Sequence, residues 1–509
     1  MSQSLTSKTV QGVKWSTAST FINAAIQIGY SAAMARLLDP SAFGLVGMSD
    51  MVIRFGAYFA QMGMMQALIQ KKDLTNEDIR AAFTSYFVLG LFFVGFFWVT
   101  APFAAASIFN TQEIVSYLRA SAFGLFLGGL SSTAASLLRR NLDFKTVAKV
   151  ETSSYILGYV VIGLSCALSG LGAWSIVYAA LSQNLINAIL FNWFVRHDMR
   201  FLFAWKHYKP LFLYGSQTSF ISFLEYICAS MDTLLIGRML GKFKLGIYNR
   251  AFYLVYLPTY QLTHSLSKVV FSSYSKLQSE LEKLGKAYLS SIVLIAAMVL
   301  PISLGIMAAS QEIVLVLLGK QWTESIPVLS ILCLAIPFNV ISTIPATICS
   351  ATAQLKSKLI LKLIYASILV SLFFLLRGYG LLGFASAVAI GEGIQTIMYM
   401  FLMNRILNLG FGSLFKVYLP GLMNGIVIAI AITLVSLVLR RADCPLLLTF
   451  LCQGLTGGIM QIVLMFFFPH PILKAEIQKL ITKIDLSKIN NKLLNRYMSS
   501  YVDFIGAKA

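Results

Sequence analysis

Asp50 and Arg54 stand one helical turn apart inside an apolar run at about 43–68. Glu225 and Glu392 fall near the middles of two later runs, the second between Gly391 and Gly393. Arg119, Asp232 and Arg250 lie closer to run ends. A charge held inside a bilayer is costly and normally faces a cavity or a partner. A guanidinium there suits phosphate, because its planar fork binds two oxygens at once. A carboxylate there suits a proton or a cation.

Two readings stand for the Asp50–Arg54 spacing. One is a self-neutralising i,i+4 pair that lowers the cost of insertion. The other is a cationic cavity site with Arg54 as donor, joined by Arg119 and Arg250. Glu225 and Asp232 are seven residues apart, hence on one helix face. They either pair with Arg250 or Arg238, or serve coupling or closure of an outer gate. Asp50 and Glu392 join them as candidate coupling or gating acids. Glu392 equally suits an interlobe hydrogen-bonding group. Lys362 and Glu151 sit near span ends, can snorkel, and receive no function.

Other chemistries lack their residues. There is no Walker A, no His-Glu-x-x-His and no Gly-x-Ser-x-Gly pattern. Without an ATP site, energy must come from an ion gradient, the membrane potential or a downhill substrate. His197, His207, His264 and His470 are scattered without ligand spacing, so no metal or cofactor is expected. Cys166, Cys228, Cys333, Cys349 and Cys452 lie in apolar runs and Cys444 at a span edge. None forms a Cys-x-x-Cys, and they read as small buried apolar residues.

The elements that position these groups are membrane spans. The 509 residues are 58% hydrophobic and only 12% charged. Their mean hydropathy is +0.77. Runs of at least ~18 apolar residues, enough to cross the hydrocarbon as a helix, recur from end to end. The alternation of a membrane β-barrel is missing. The first run, about 15–38, is too long for a signal-peptide core and reads as a retained span. The expected fold is an all-α polytopic membrane protein with about 14 transmembrane helices. Spans 1–6 lie near 16–38, 43–68, 81–104, 113–137, 147–169 and 173–195. Spans 7–12 lie near 210–235, 245–267, 287–309, 325–351, 359–377 and 381–403. Spans 13 and 14 lie near 417–439 and 445–468.

A cytoplasmic N-terminus puts roughly 29 of the 40 Lys and Arg residues inside. Lys71, Lys72, Arg139, Arg140, Arg196, Arg200, Lys206, Lys209 and the lysine-rich tail are among them. The net charge of +20 is therefore read as positive-inside bias, with no nucleic-acid partner. An even span count places both termini in the cytoplasm.

The chain also repeats a phrase. "ARLLDPSAFGLVG" (35–47) links spans 1 and 2, and "GRMLGKFKLGIYN" (237–249) links spans 7 and 8. Arg36 aligns with Arg238, Leu38 with Leu240, Phe43 with Leu245 and Gly44 with Gly246. Six spans separate the copies, which is the signature of a parallel repeat. The expected domains are lobes at 1–205 and 206–410 around a central cavity, two further spans at 411–469, and a tail at 470–509. Two lobes around a cavity point to a transporter rather than an enzyme. Pro258, Pro301, Pro327, Pro337 and Pro345 mark helices that can bend. In the tail, Leu473, Ile477, Leu480, Ile481 and Ile484 share a helical face among lysines. That reads as an amphipathic helix on anionic lipid of the inner leaflet.

"ARLLDPSAFGLVGMSDMV", "RRNLDFKTVAKVE" and "YGSQTSF…MDTLLIGRMLGKFKLGIYNRAF" together resemble Wzx-type polysaccharide flippases. These belong to the multidrug/oligosaccharidyl-lipid/polysaccharide exporter superfamily, and the resemblance is nearest the colanic-acid and teichuronic-acid exporter branch. It runs through spans 1–12 in order. It implies a two-lobed, MATE-like fold working by alternating access. It implies an undecaprenyl-diphosphate-linked oligosaccharide as substrate, moved from the inner to the outer leaflet of the bacterial cytoplasmic membrane. The product would feed capsule, exopolysaccharide or O-antigen synthesis, with a polysaccharide polymerase left open as partner. No family motif marks the binding residues. Arg54, Arg119 and Arg250 are assigned to the diphosphate and glycan from position and charge. The alternatives are a cation-coupled multidrug exporter of the same superfamily, which would use Asp50, Glu225 and Glu392, and a lipid II flippase. A membrane glycosyltransferase or ligase would need a large catalytic outer loop, and the outer loops here are short.

Overall fold

The computed structural model describes residues 5–61, 64–71, 73–204, 206, 208, 223–277, 280–352 and 354–481. Lys72, His207, Lys209, the "YGSQTSF" stretch, the first part of expected span 7 and the tail beyond 481 (with Ile484) lie outside the described residues.

Every element described is helical. α1 (Leu5–Leu37) ends at Leu38–Asp39, and α2 (Pro40–Gln61) starts at once. Asp39 Oδ1 accepts from Ser41 N at 2.8 Å, and Pro40 fills the first helical position, where no backbone donor is lost. A short α3 (Met64–Gln70) leads to α4 (Asn76–Phe109). Thr75 and Asp78 form a reciprocal capping box at its start, and Lys71 closes on the fully buried Asp78 at 2.5 Å. α5 (Ile114–Arg140) turns into α6 (Phe144–Leu168) through "RRNLDF". There Asp143 Oδ1 accepts from Thr146 N, and Leu142 takes a left-handed φ of 59°. Glu151 accepts from Arg139 at 2.8 Å while staying partly exposed. α7 is Trp174–Phe194.

An extended segment, 195–204, then lies along the start of α4. Arg80 donates to the carbonyls of Arg200 and Phe201 at 3.1 Å, and Thr84 Oγ1 accepts from Leu202 N. Helix α8 (223–229) passes through a turn at Ser230 into α9 (Met231–Leu277). α9 is two helices in series, broken at Gly241, where φ is 80° and ψ 179°. Only glycine takes that conformation without strain. Gly241 stands where Asp39 stands in the first copy of the repeated phrase.

α10 (Leu281–Ala308) follows, then α11 (Ser325–Ile341), α12 (Thr343–Ala351), α13 (Leu355–Leu376) and α14 (Gly380–Leu407). α15 (Phe411–Lys416), α16 (Leu419–Arg441), α17 (Leu446–Ile462) and α18 (Pro471–Ile481) complete the chain. Among the described residues nine helices are long and apolar enough to cross a membrane, one of them Leu355–Leu407. A 3-10 turn at Arg377–Tyr379, with Gly380 at φ 59°, divides that one where spans 11 and 12 were expected to meet. α1, α2 and the second half of α9 overlap expected spans 1, 2 and 8, but α2 ends at Gln61 and none of the three is among the nine.

The chain divides into two compact units, which interleave along the sequence. The first holds Met1–Tyr253, Leu317–Val328 and Lys362–Ala387. The second holds Leu254–Val316, Leu329–Leu361 and Val388–Ala509. In the second unit α16 lies against α10 through a Gly-x-x-x-Gly pair. A Cβ on Gly421 would strike the Ala296 carbonyl, and one on Gly425 would come within 2.7 Å of Leu304 Cδ1. α10, α16 and α17 line an open apolar pocket of about 370 Å³ beside Pro301 and Gly305.

Pro258, Pro301 and Pro337 are helix-interior, as expected of bending points. Pro327 and Pro345 instead sit in the first turns of α11 and α12, where no intrahelical bond is lost. The α18 face differs from its expected use. Leu473 and Ile477 are buried in the protein, with α18 packed on α10, and the exposed side carries Lys474 and Lys479.

Candidate functional site

α2 sorts its residues by face. Met48, Val52 and Ile53 are buried on the side packed against α4 and α5. Asp50, Arg54 and Tyr58 recur every four residues on the other side, where Asp50 and Arg54 are exposed. Asp50 is closely surrounded by protein yet open to solvent, as a side chain facing into a cavity would be. Among the described residues no ion pair or hydrogen bond joins Asp50 to Arg54. The self-neutralising pair is therefore not closed.

α8 meets this face. Tyr226 donates its hydroxyl to the Met51 carbonyl at 2.8 Å, and its ring lies 5.3 Å from Tyr58. Phe223 packs on Phe55 and Phe59 at 4.8 Å each. Glu225, on α8 between Phe223 and Tyr226, is within electrostatic reach of Tyr58.

Further along, Arg250 of α9 enters the same unit. Its guanidinium carbon lies 4.3 Å from the Phe43 ring and 5.2 Å from the Tyr253 ring. Nη1 donates to Ser31 Oγ at 3.0 Å, and Nε is buried with no acceptor. Among the described residues, no carboxylate pairs with this arginine. Tyr159 is within electrostatic reach of Asp50, Arg54 and Tyr253, so it connects the Arg54 and Arg250 groups.

The other expected residues are engaged elsewhere. Arg119 donates to the Trp98 carbonyl at 3.0 Å and lies over the Trp98 ring, on the α4–α5 seam. Asp232 accepts from Tyr248 OH at 2.8 Å and from Thr233 N, not from Arg238 or Arg250. Arg238 donates to the Ser107 and Ile108 carbonyls. Glu392 belongs to the second unit. It is buried and accepts from Asn339 Nδ2 at 2.9 Å and Gln395 Nε2 at 3.0 Å. Among the described residues no group of three or more His, Cys, Asp or Glu side chains gathers to hold a metal ion.

Beyond Arg250 the turns of the repeated phrase form a dense layer. Phe43 packs on the fully buried Trp322 at 5.4 Å. Trp322 Nε1 donates to the Ala35 carbonyl at 2.7 Å, and Gln321 donates to Ala35 and Leu38. Lys244 pairs with Glu324 at 2.5 Å, and Lys242 pairs with Glu113.

The profile of one protein family, described as polysaccharide biosynthesis protein, matches residues 33–327. The chain belongs to that family. The match takes in α2, α8 and the Arg250 part of α9, so the site lies inside the family region. This family member is 24% identical over 336 residues to the lipopolysaccharide biosynthesis protein WzxC of Escherichia coli K12. That match covers 65% of the chain and 67% of WzxC. It is 23% identical to an uncharacterized membrane protein in the cps region of Klebsiella pneumoniae, over 94% of the chain and 99% of the relative. It is 23% identical to the teichuronic acid biosynthesis protein TuaB of Bacillus subtilis, over 65% and 68%. In fold it is similar to the lipid II flippase MurJ in an inward closed conformation. The TM-score is 0.68 at 16% identity, covering 92% of this chain and all of the other. An inward-facing MATE-family multidrug transporter follows at TM-score 0.61 and 16% identity, covering 77% and 94%. The family member is thus a multi-pass helical membrane protein of the MurJ and MATE architecture.

Sequence reasoning missed the tyrosines. Tyr30, Tyr155, Tyr159 and Tyr253 come from α1, α6 and α9 and gather beside Arg250. The available signal was tyrosine spaced by four within an apolar span, at Tyr155 and Tyr159.

Proposed function

We propose that the chain is a flippase for undecaprenyl-diphosphate-linked oligosaccharides. It carries them from the inner to the outer leaflet of the bacterial cytoplasmic membrane by alternating access. The glycan then enters capsule, exopolysaccharide or O-antigen synthesis, and the chain itself performs no covalent chemistry. The observation that carries this reading is Arg54 with Arg250. Two guanidinium groups stand inside one helical unit, and among the described residues neither is closed onto a carboxylate. A cation held there without an ion pair favours an anionic ligand. Arg54 receives the diphosphate, and Arg250 stands further along the path. Arg119, held by Trp98, has no part in this reading.

Fourteen spans and cytoplasmic termini fit it, with six-span repeats at 1–205 and 206–410, two spans at 411–469 and a tail at 470–509. The close backbone approaches of Gly44 to the Lys242 carbonyl and of Gly246 to the Pro40 carbonyl support the repeat. Of the four acids, Asp50 and Glu225 lie beside the arginine path and are the coupling candidates. Asp232 and Glu392 hold hydrogen bonds that suit a structural role. Anionic lipid meets the tail through Lys474 and Lys479, since Leu473 and Ile477 face the protein.

The test is a sidedness assay. Purified protein is reconstituted with undecaprenyl-diphosphate oligosaccharide, and exposure at the far leaflet is followed with a membrane-impermeant probe. Exposure faster than in protein-free vesicles is expected. The open carboxylate of Asp50 favours a second reading, a cation-coupled multidrug exporter. Drug–cation exchange abolished by Asp50→Asn, with no glycolipid exposure, would establish that one instead.

A further inference from the structure

A tyrosine inside a membrane protein usually bonds its hydroxyl, as Tyr226 does to Met51 O and Tyr248 to Asp232. Four neighbouring tyrosines make no such bond among the described residues. Tyr155 and Tyr159 stack at 4.6 Å with rings inclined by 14°. Tyr30 stands edge-on to Tyr159 at 5.1 Å and to Tyr155 at 6.2 Å. Tyr253 lies within electrostatic reach of Tyr155 and Tyr159 and under the Arg250 guanidinium. The Tyr30 hydroxyl is buried with no partner. The hydroxyls of Tyr155, Tyr159 and Tyr253 have no hydrogen-bond partner among the described residues. Arg250 Nε, beside them, is buried and unbonded.

Phenylalanine would pack the same rings without the buried, unbonded hydroxyl of Tyr30 and without three more that no protein group engages among the described residues, so packing alone does not account for four phenols in one place. Each phenol can donate and accept, and each ring offers an apolar face. That pairing of donor–acceptor groups with flat apolar surface matches a saccharide, whose hydroxyls ring an apolar C–H face.

We propose that Tyr30, Tyr155, Tyr159 and Tyr253, with Arg250 Nε, form a saccharide subsite that binds the sugars next to the diphosphate. The subsite rests on the flippase reading and divides the ligand: Arg54 takes phosphate, and the tyrosines take sugar. It makes the glycan, not only the charged lipid, a determinant of recognition.

The experiment compares two lipids on protein in nanodiscs. One is undecaprenyl diphosphate. The other is the undecaprenyl-diphosphate glycan extracted from cells that carry the native pathway. Binding is measured for wild type, Tyr30→Phe and the triple variant Tyr155→Phe/Tyr159→Phe/Tyr253→Phe, which keeps every ring. Wild type is expected to prefer the glycan lipid. The triple variant is expected to lose about tenfold or more on it, and less than about twofold on undecaprenyl diphosphate. Tyr30→Phe is expected to lose about threefold on the glycan lipid alone. A general structural fault would weaken both lipids together, and that result overturns the subsite. An unchanged preference in the triple variant overturns it as well. If wild type binds neither lipid, the flippase reading falls and the subsite falls with it.

Discussion

Gly44 and Gly246 face each other's helices as mirror terms of one contact. A Cβ on Gly44 would fall on the carbonyl of Lys242, and a Cβ on Gly246 would fall on the carbonyl of Pro40. Gly44 aligns with Gly246 and Pro40 with Lys242 at the same offset of 202 residues. The contact thus repeats itself under exchange of the two phrases, as a local two-fold relation requires. Only glycine lets two backbones approach this closely. In the proposed topology this crossing lies at the outer face and closes the path beyond Arg250.

Gly44→Ala and Gly246→Ala are therefore expected to hold the crossing apart. A cysteine introduced at Ser31, below it, should react faster with a membrane-impermeant thiol reagent from outside, by about tenfold or more. Each variant must first be shown to fold, by monodisperse elution. Unchanged labelling in folded protein would mean that the crossing is not a gate.

Arg54→Ala is expected to lower glycolipid exposure at least about a hundredfold, since a charge-assisted bidentate contact disappears. Arg54→Lys should recover only part of it, because an ammonium lacks the planar fork. Arg119→Lys should leave transport within about twofold, as its guanidinium is engaged by Trp98. Equal loss at Arg54 and Arg119 would refute the assignment of the diphosphate to Arg54.

Glu312 and Arg440 provide a stability test within the second unit. Glu312 is 1% exposed and accepts from Arg440 Nε at 2.7 Å and Nη2 at 2.5 Å. Its other oxygen has no partner among the described residues. Breaking a buried pair from one side costs about 3–5 kcal/mol, but the Arg440 side chain is 42% exposed, so about 1–3 kcal/mol is expected for Arg440→Ala. Glu312→Gln in that background should restore part of the loss, because the unpaired charge is gone. A thermal melt in detergent, with no recovery in the double variant, would show that burial of the charge is not the cause.

His197 sits in the 195–204 segment, with Nε2 3.1 Å from Asn192 Oδ1 and its ring 5.6 Å from Phe83. Burial lowers its pKa below the usual value, against the weaker opposing pull of the Asp198 carbonyl and carboxylate. Its neutral form is thus favoured in the folded segment. The contribution is complete above about pH 6.5 and declines as pH falls through the depressed value. Tryptic cleavage at Arg196 and Arg200 should accelerate from pH 7.5 to 5.5, after correction for trypsin activity, and less so in His197→Asn. A pH-independent rate in wild type would show that protonation of His197 does not loosen the segment.

Hydropathy alone determined that the chain is helical and membrane-spanning, because span length and apolar content are local properties of consecutive residues. The repeated phrase was also legible, since its turns need glycine or an Asp-Pro start wherever they occur. The charges worth attention could be named, because a charge in an apolar run is conspicuous. Which of them stay available was decided only by packing. Arg119 met Trp98, Asp232 met Tyr248, and Glu392 met Asn339. Among the described residues Asp50, Arg54 and Arg250 closed no ion pair. The same holds for the tyrosines and for Arg250 with Ser31, 219 residues apart. Helical period relates residues within a few turns of one helix. It carries no information about which face of a distant helix will lie opposite, and that is where a binding site is made.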